Sequence, residues 1–463
     1  MMTNANLYAL FRARFPQDLD DCWLETAGGA SGSQYYSWRD LDRGSAKIAN
    51  LLASLKLPAG SRIAAQVEKS AEALMLYLAT IRAGFVYLPL NTAYRSDEMA
   101  YFIENASPAV VVCTPQNFGW VTQIAFSRGV SQVFTLDEPH AGSDGNGGRN
   151  SGSLLSRAVH FADSFDTVQR EADDLAAILY TSGTTGRSKG AMLTHGNLAS
   201  NIATLHECWQ WKAGDVLLHA LPLFHIHGLF VAAHGALWNG SKMIFLPKFD
   251  SAAVIRQLPR ATVFMGVPTY YVRLLSDPAF TREACANMRL FVSGSAPLLT
   301  ETFTQFAERA GHTILERYGM SETAMLTSNP YDGERRAGTV GPALPGVSVR
   351  VVKGEGEACT TVDIGEIGDI QVKGPNVFKG YWQMPEKTAE EFTADGYYKT
   401  GDVGKFDADG YLSIVGRSKD LIISGGYNVY PKEIESVIDD MPGVQESAVV
   451  GVPHPDFGEA VTA

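Results

Sequence analysis

Between Thr181 and Lys189 the chain places hydroxyls on Thr181, Ser182, Thr184 and Thr185, glycines at Gly183 and Gly186, and cations at Arg187 and Lys189. Glycines let backbone N–H groups come close to a ligand, hydroxyls donate to anionic oxygens, and a lysine adds a movable positive charge. That combination suits the holding of a polyphosphate. Clusters of Gly, Ser and Thr also mark ordinary solvated turns. Here an apolar run at 175–180 of strand length precedes the cluster, and helix-start signals at Thr194, His195 and Asn197 follow it, which favours a phosphate loop. A Walker-type loop would need glycine at Ser188 and Ser or Thr at Gly190, so the spacing is not that of a P-loop NTPase.

Other stretches carry chemistry less specifically. LPLFHIHGL at 221–229 sets His225 and His227 two residues apart among apolar neighbours, compatible with two core histidines or with a metal pair lacking a third ligand at readable spacing. Arg273, in GVPTYYVRLL, is a lone arginine of the kind that usually lies at the surface. Asp402, in YYKTGDVG, is a carboxylate acceptor suited to a vicinal diol, although TGD alone reads as a turn.

These residues need a scaffold. Ser37 reads as an N-cap with Asp40 three residues on, followed by Leu41, Ile48, Leu52 and Leu55 at helical spacing. Strands are expected at 62–67, 85–90, 109–113 and 290–293, an amphipathic helix at 71–83 ended by Gly84, and a further helix at 195–209. Alternation of strands and helices implies parallel sheet. Residues 138–153, rich in Gly and Ser, read as a flexible surface loop.

The length of 463 residues corresponds to roughly three domain-sized units. A net charge of −12 argues against a nucleic-acid or anionic-membrane surface. No apolar run reaches the roughly 18 residues of a spanning helix, and the first fifteen residues lack an apolar segment of signal type, so no membrane partner and a cytoplasmic location are expected. Five scattered cysteines suggest neither a disulfide framework nor a metal site.

The stretch 180–190 resembles the signature loop of the adenylate-forming superfamily of acyl-CoA synthetases, luciferases and adenylation domains, and later motifs agree in order: SGSAPL at 293–298, ERYGMSET at 316–323, YYKTGDVG at 397–404 and GRSKDLIISGGYNVY at 416–430. The resemblance implies an α/β fold. A large N-terminal domain of mixed parallel sheets flanked by helices would span 1–416, and a small mobile α+β C-terminal domain would begin at 417–463. Relatives continue for several tens of residues with a lysine that contacts the reacting carboxylate, so the sequence is expected to be truncated.

Carried over residue by residue, the resemblance implies that Thr181, Ser182, Gly183, Thr184, Thr185, Gly186 and Lys189 cradle the phosphates of ATP. Gly294, Ser295, Ala296 and Glu316 would border the adenine and Tyr318 would stack on it. Ser321 would touch the α-phosphate, Glu322 would hold Mg²⁺, and Asp402 and Arg417 would contact the ribose. His225 would stand by the reacting carboxylate, with Thr181, Lys189, His225 and Glu322 forming the catalytic set. Lys419 would be the hinge, and Gly425 and Gly426 would approach coenzyme A.

Family members that activate malonate carry arginine at the place of Arg273 and serine at that of Ser295. With His227 lining the acyl pocket, this implies ligation of malonate, or methylmalonate, to coenzyme A through an acyl-adenylate, releasing AMP and pyrophosphate. Arg289 and Arg317 compete with Arg273 as the carboxylate's partner. A short- or medium-chain acyl-CoA synthetase and a non-catalytic nucleotide-binding protein are the alternative readings. The oligomeric state, monomer or homodimer, stays open.

Overall fold

Capping boxes fix where two of the long helices begin. Ser37 accepts from the Asp40 backbone N–H at 3.1 Å while Asp40 accepts from that of Ser37 at 2.8 Å, opening the helix Trp38–Ser54. Thr194 and Asn197 exchange the same pair of bonds at 3.0 and 2.9 Å and open His195–Cys208. Each box satisfies N–H groups that a helix leaves unpaired, worth about 1 kcal/mol per cap.

The computed structural model describes residues 4–27, 32–136, 153–181, 187–354, 359–424, 427–439, 441, 443–444, 446–454 and 458–463. Ser153 is the one residue of the expected 138–153 loop among them; it is buried and caps the helix Leu154–Ala158. Two compact units divide the chain. The first comprises Met1–Met265, Met320–Ala324 and Phe378–Pro385; the second comprises Gly266–Gly319, Met325–Val377 and Glu386–Ala463.

The first unit holds a six-stranded sheet in the order Gln132–Thr135, Val110–Cys113, Arg62–Gln66, Val86–Pro89, Leu175–Thr181, Lys189–Thr194. Its first five strands are parallel, as the alternation of strands and helices implies, and the last is antiparallel, with Thr181 opposite Lys189. Val86, Leu88, Phe102, Val111 and Ile178 form its apolar heart, each such side chain contributing roughly 1.5–3 kcal/mol when fully buried. In the same unit Cys22–Thr26, Lys242–Phe245 and Val216–His219 run parallel, with Tyr35–Ser37 antiparallel at the edge.

One expectation fails here. The helix Ala71–Arg82 is buried along its whole length, so it has no exposed face and is not amphipathic. Its apolar positions leave too few polar residues to make such a face, and a helix apolar on all sides packs on all sides.

The second unit pairs Leu290–Ser293 with Leu315–Met320 in parallel, Ser293 opposite Glu316. Tyr271, Phe280, Phe291 and Phe306 interlock in its core, edge-to-face or tilted. A five-stranded antiparallel sheet runs Thr360–Thr361, Ser348–Lys353, Gly368–Lys373, Tyr398–Phe406, Leu412–Arg417. A separate four-stranded sheet of Tyr427–Val429, Ile422–Ser424, Gly458–Thr462 and Val450–His454 follows, with the helix Pro431–Asp439. The architecture is mixed α/β, parallel sheets flanked by helices, with a smaller strand-rich C-terminal part. Among the described residues no helix is long and apolar enough to cross a membrane.

Candidate active site

Ser182, Gly183, Thr184, Thr185 and Gly186 lie outside the described residues, as do Gly425 and Gly426. The frame of the phosphate loop is described. Thr181 and Lys189 close a hairpin, and the Thr181 hydroxyl donates to the Lys189 carbonyl at 3.4 Å. The helix Ser96–Ala106 braces both of its strands: Tyr101 donates to the Ser188 carbonyl at 2.6 Å, and the Tyr180 hydroxyl donates to Asn105.

Residues 378–382, FKGYW, lie along the outer strand of this hairpin. Lys379 N–H donates to Met192 C=O and Met192 N–H to Gly380 C=O, both at 2.9 Å, and Trp382 N–H donates to Gly190 C=O at 2.7 Å. Gly190 permits this contact, since a Cβ there would stand 2.9 Å from Ile178 Cγ2 and 3.3 Å from Trp382 Cβ. The arrangement puts Tyr381 between two of the expected site residues. Its hydroxyl donates to Glu322 Oε1 at 3.0 Å, and the Lys189 ammonium lies 4.3 Å from its ring centroid. Glu322 is buried, and Phe378 N–H donates to its backbone carbonyl at 2.7 Å. Ser321, half-buried, stands beside it in the turn after Met320.

Mg²⁺ fits this carboxylate only in part. A buried anionic oxygen donor suits a hard cation. Among the described residues, however, no group of three His, Cys, Asp or Glu gathers to hold a metal. An ion held by Glu322 would take its other ligands from phosphate oxygens and water.

His225 and His227 stand on opposite sides of a surface. His225 is partly open to solvent, yet desolvation still lowers its pKa below the usual histidine value. His227 is buried at the start of a π-helix, His227–Ala233. The widened turn is anchored by His219, whose Nε2 donates to the Gly228 carbonyl at 2.8 Å while Lys69 Nζ lies 2.8 Å from its Nδ1. A Cβ on Gly228 would sit 1.8 Å from the Pro222 carbonyl oxygen, so only glycine fits.

In the second unit, Gly294, Ser295 and Ala296 follow a buried strand. Ser295 and Ala296 are exposed, and Ser295 takes the left-handed conformation at φ 73°. Glu316 is buried; Oε1 accepts from the Leu298 N–H at 3.2 Å, Oε2 meets no protein partner, and burial pushes its carboxyl up to about 8. Arg317 is 2% exposed, with Nε and Nη2 buried and unpartnered, and burial lowers it to about 10. Its guanidinium lies so near Gly294 that a Cβ there would approach to 2.5 Å. Arg273, by contrast, is exposed in the last turn of Pro268–Leu275, and Arg289 lies over the Tyr331 ring at 5.3 Å.

Tyr318, Asp402 and Arg417 come together. Asp402 is buried and its pKa is raised by that burial; one oxygen accepts from the Tyr318 hydroxyl and the other lies 3.2 Å from Arg417 Nε. Lys419 is exposed in the turn Ser418–Asp420, between the five-stranded and four-stranded sheets.

Tyr381 carries no motif readable in one sequence. Its signal was a glycine followed by two aromatics in a stretch without periodicity, which reads as loop.

Residues 22–382 match the family model of the AMP-binding enzyme. The chain is 38% identical to the malonate–CoA ligase of Arabidopsis thaliana over 426 residues, which cover 87% of this chain and 67% of that protein. Its fold superposes on ATP-bound MatB from Rhodopseudomonas palustris with a TM-score of 0.92 at 55% identity, covering 99% of this chain and 88% of that one. A malonyl-CoA ligase with methylmalonyl-CoA and AMP bound superposes with a TM-score of 0.74 at 34% identity, covering 98% and 90%. On the extent of these matches, the chain belongs to the AMP-binding enzyme family of adenylate-forming enzymes.

Proposed function

We propose that this AMP-forming acid–CoA ligase takes malonate, and methylmalonate as its nearest alternative, as the acid. In the first step a carboxylate oxygen attacks the α-phosphorus of ATP and the bond to pyrophosphate breaks. In the second the sulfur of coenzyme A attacks the acyl carbon, the thiol proton is lost, and AMP leaves. Thr181, Lys189 and the loop between them would hold the phosphates, with Ser321 at the α-phosphate. Mg²⁺ held at Glu322 would neutralise phosphate charge. Asp402 and Arg417 would take the ribose, Tyr318 the adenine face, and Gly294, Ser295, Ala296 and Glu316 its edge. His225 would face the reacting carboxylate.

The domain division at 416/417 belongs to this proposal. The segment from Arg417 would pivot at Lys419 and bring Gly425 and Gly426 toward coenzyme A; the position of Lys419 between two separate sheets supports this. A cytoplasmic location is a further part of the proposal, testable by cell fractionation.

One observation carries the dicarboxylate reading: Ser295 is exposed in a left-handed conformation directly after Gly294, the residue that lies against the buried Arg317 guanidinium. Backbone strain outside glycine is retained where a site needs it. Similarity to malonate–CoA ligases supports the same substrate. Arg273 and His227 keep the roles toward the substrate that the family resemblance implies for them. The unpartnered N–H groups of Arg317 favour a second reading, in which Arg317 is the carboxylate's counter-ion, since a buried cation calls for an anion.

Pyrophosphate release should be compared for malonate, methylmalonate, acetate and octanoate in the native enzyme, Arg273→Ala and Arg317→Met. Selective loss of malonate turnover in Arg273→Ala, with ATP binding kept, supports the first reading; the same loss in Arg317→Met alone supports the second. Preference of the native enzyme for acetate or octanoate would discard the dicarboxylate pocket, and no release with any acid would favour a non-catalytic nucleotide-binding protein.

A further inference from the structure

We propose that Tyr381 is a positioning residue that sets Glu322 and Lys189 relative to each other at the phosphate end of the site. The inference rests on the assignment of those two residues to ATP and its metal ion. Tyr381 itself is 2% exposed and is fixed from three directions. Its neighbours Gly380 and Trp382 are hydrogen-bonded to Met192 and Gly190 on either side, the backbone bridges to Ala191, and Phe378 packs on the ring edge-to-face at 4.9 Å. A side chain held this way has one orientation open to it.

From that orientation it acts in two ways. The hydroxyl donates to Glu322 Oε1, which compensates a buried carboxylate and fixes the plane in which it offers oxygen to a cation. The ring face lies under the Lys189 ammonium and attracts it electrostatically without consuming its N–H donors. A phenol is the side chain that does both: phenylalanine lacks the donor, and an aliphatic residue lacks the negative face. Lys189 and Glu322 are 133 positions apart in the numbering of the chain and share this one aromatic neighbour.

The test uses the full-length protein and equilibrium ATP binding without acid, measured calorimetrically as Mg²⁺ is titrated. Tyr381→Phe should raise the Mg²⁺ concentration for half-maximal binding about tenfold, as expected for a lost hydrogen bond to a charged group, while the KM for the acid stays unchanged. Tyr381→Leu should weaken ATP binding without Mg²⁺ by a further two- to fivefold. Glu322→Gln is the control. If it shifts the Mg²⁺ dependence and Tyr381→Phe does not, the proposal for Tyr381 is overturned and the role of Glu322 stands. If Glu322→Gln leaves the dependence unchanged, the assignment of Glu322 fails and the proposal with it. Equal increases in the KM values of ATP and acid in Tyr381→Phe, with the Mg²⁺ dependence unchanged, would mark the tyrosine as packing alone and also overturn it.

Discussion

Arg417 Nε lies 3.2 Å from Asp402 Oδ1 while Tyr318 donates to the other oxygen of the same carboxylate, so both acceptor edges of Asp402 are engaged by protein. If the ribose diol binds here, it joins or displaces existing donors. Asp402→Asn keeps the shape and loses the charge. The KM for ATP should rise about 10- to 100-fold, from roughly 1.5–3 kcal/mol of lost charge-assisted bonding. With 2′,3′-dideoxy-ATP the penalty should largely vanish; an equal penalty for both nucleotides would remove Asp402 from the ribose site.

Ser295 separates stability from substrate binding. Ser295→Gly relieves the left-handed backbone and should stabilise the fold by ~0.5–1 kcal/mol. Ser295→Ala retains the strain and should leave stability near the native value. Both lack the hydroxyl, so both should raise the acid's KM about 3- to 10-fold. Urea unfolding and steady-state kinetics on the pair check this, and native acid kinetics in either variant would refute the role of the hydroxyl.

Gly228→Ala tests the anchor of the π-helix. The new methyl group meets the Pro222 backbone rather than a flexible side chain, so the cost should reach ~3 kcal/mol. The acid's KM should rise more than that of ATP because the shift falls on the turn that carries His227.

Buried imidazoles and one buried carboxyl shape the pH profile of stability in opposite senses. Burial lowers His195 from 6.5 to about 4 and His234 from 6.5 to about 3, so in acid the unfolded chain takes up protons that the folded one refuses. Their contribution is complete above pH 6.5 and is lost as pH falls, at up to ~1.4 kcal/mol per pH unit for each ring. Glu316, raised from 4.5 to about 8, acts the other way: the folded state keeps a proton that the unfolded state gives up, and stability declines as pH rises toward 8. Glu316→Gln should therefore steepen the acid limb below pH 6.5 and flatten the decline above it. Urea midpoints from pH 5 to 8.5 would show a profile unchanged by the substitution if Glu316 titrates normally.

The framework was legible where local rules decide it. Ser37 and Asp40 announce their capping box, and 62–67 and 109–113 read as strands within a residue of Arg62–Gln66 and Val110–Cys113. The loop reading of 181–190 missed that Lys189 opens a strand, because a short hairpin arm and a loop share the same hydroxyl and glycine content. The exposure of Arg273 is what a lone arginine ordinarily shows, whereas the burial of Arg317 was hidden, since burial of a charged side chain depends on distant neighbours rather than on its own stretch. Tyr381 was out of reach for the same reason.

The hydrogen bond from Trp382 Nε1 to the Asn105 carbonyl joins positions 277 residues apart. During synthesis at about 5–20 residues per second, the hairpin that frames the phosphate loop waits on the order of tens of seconds for the segment that completes it. Until FKGYW emerges, the outer strand Lys189–Thr194 is an open sheet edge, able to pair with other chains. If this hairpin binds nucleotide as proposed, that binding waits for a late step of synthesis, and until then 189–194 is one edge at which the nascent chain can pair.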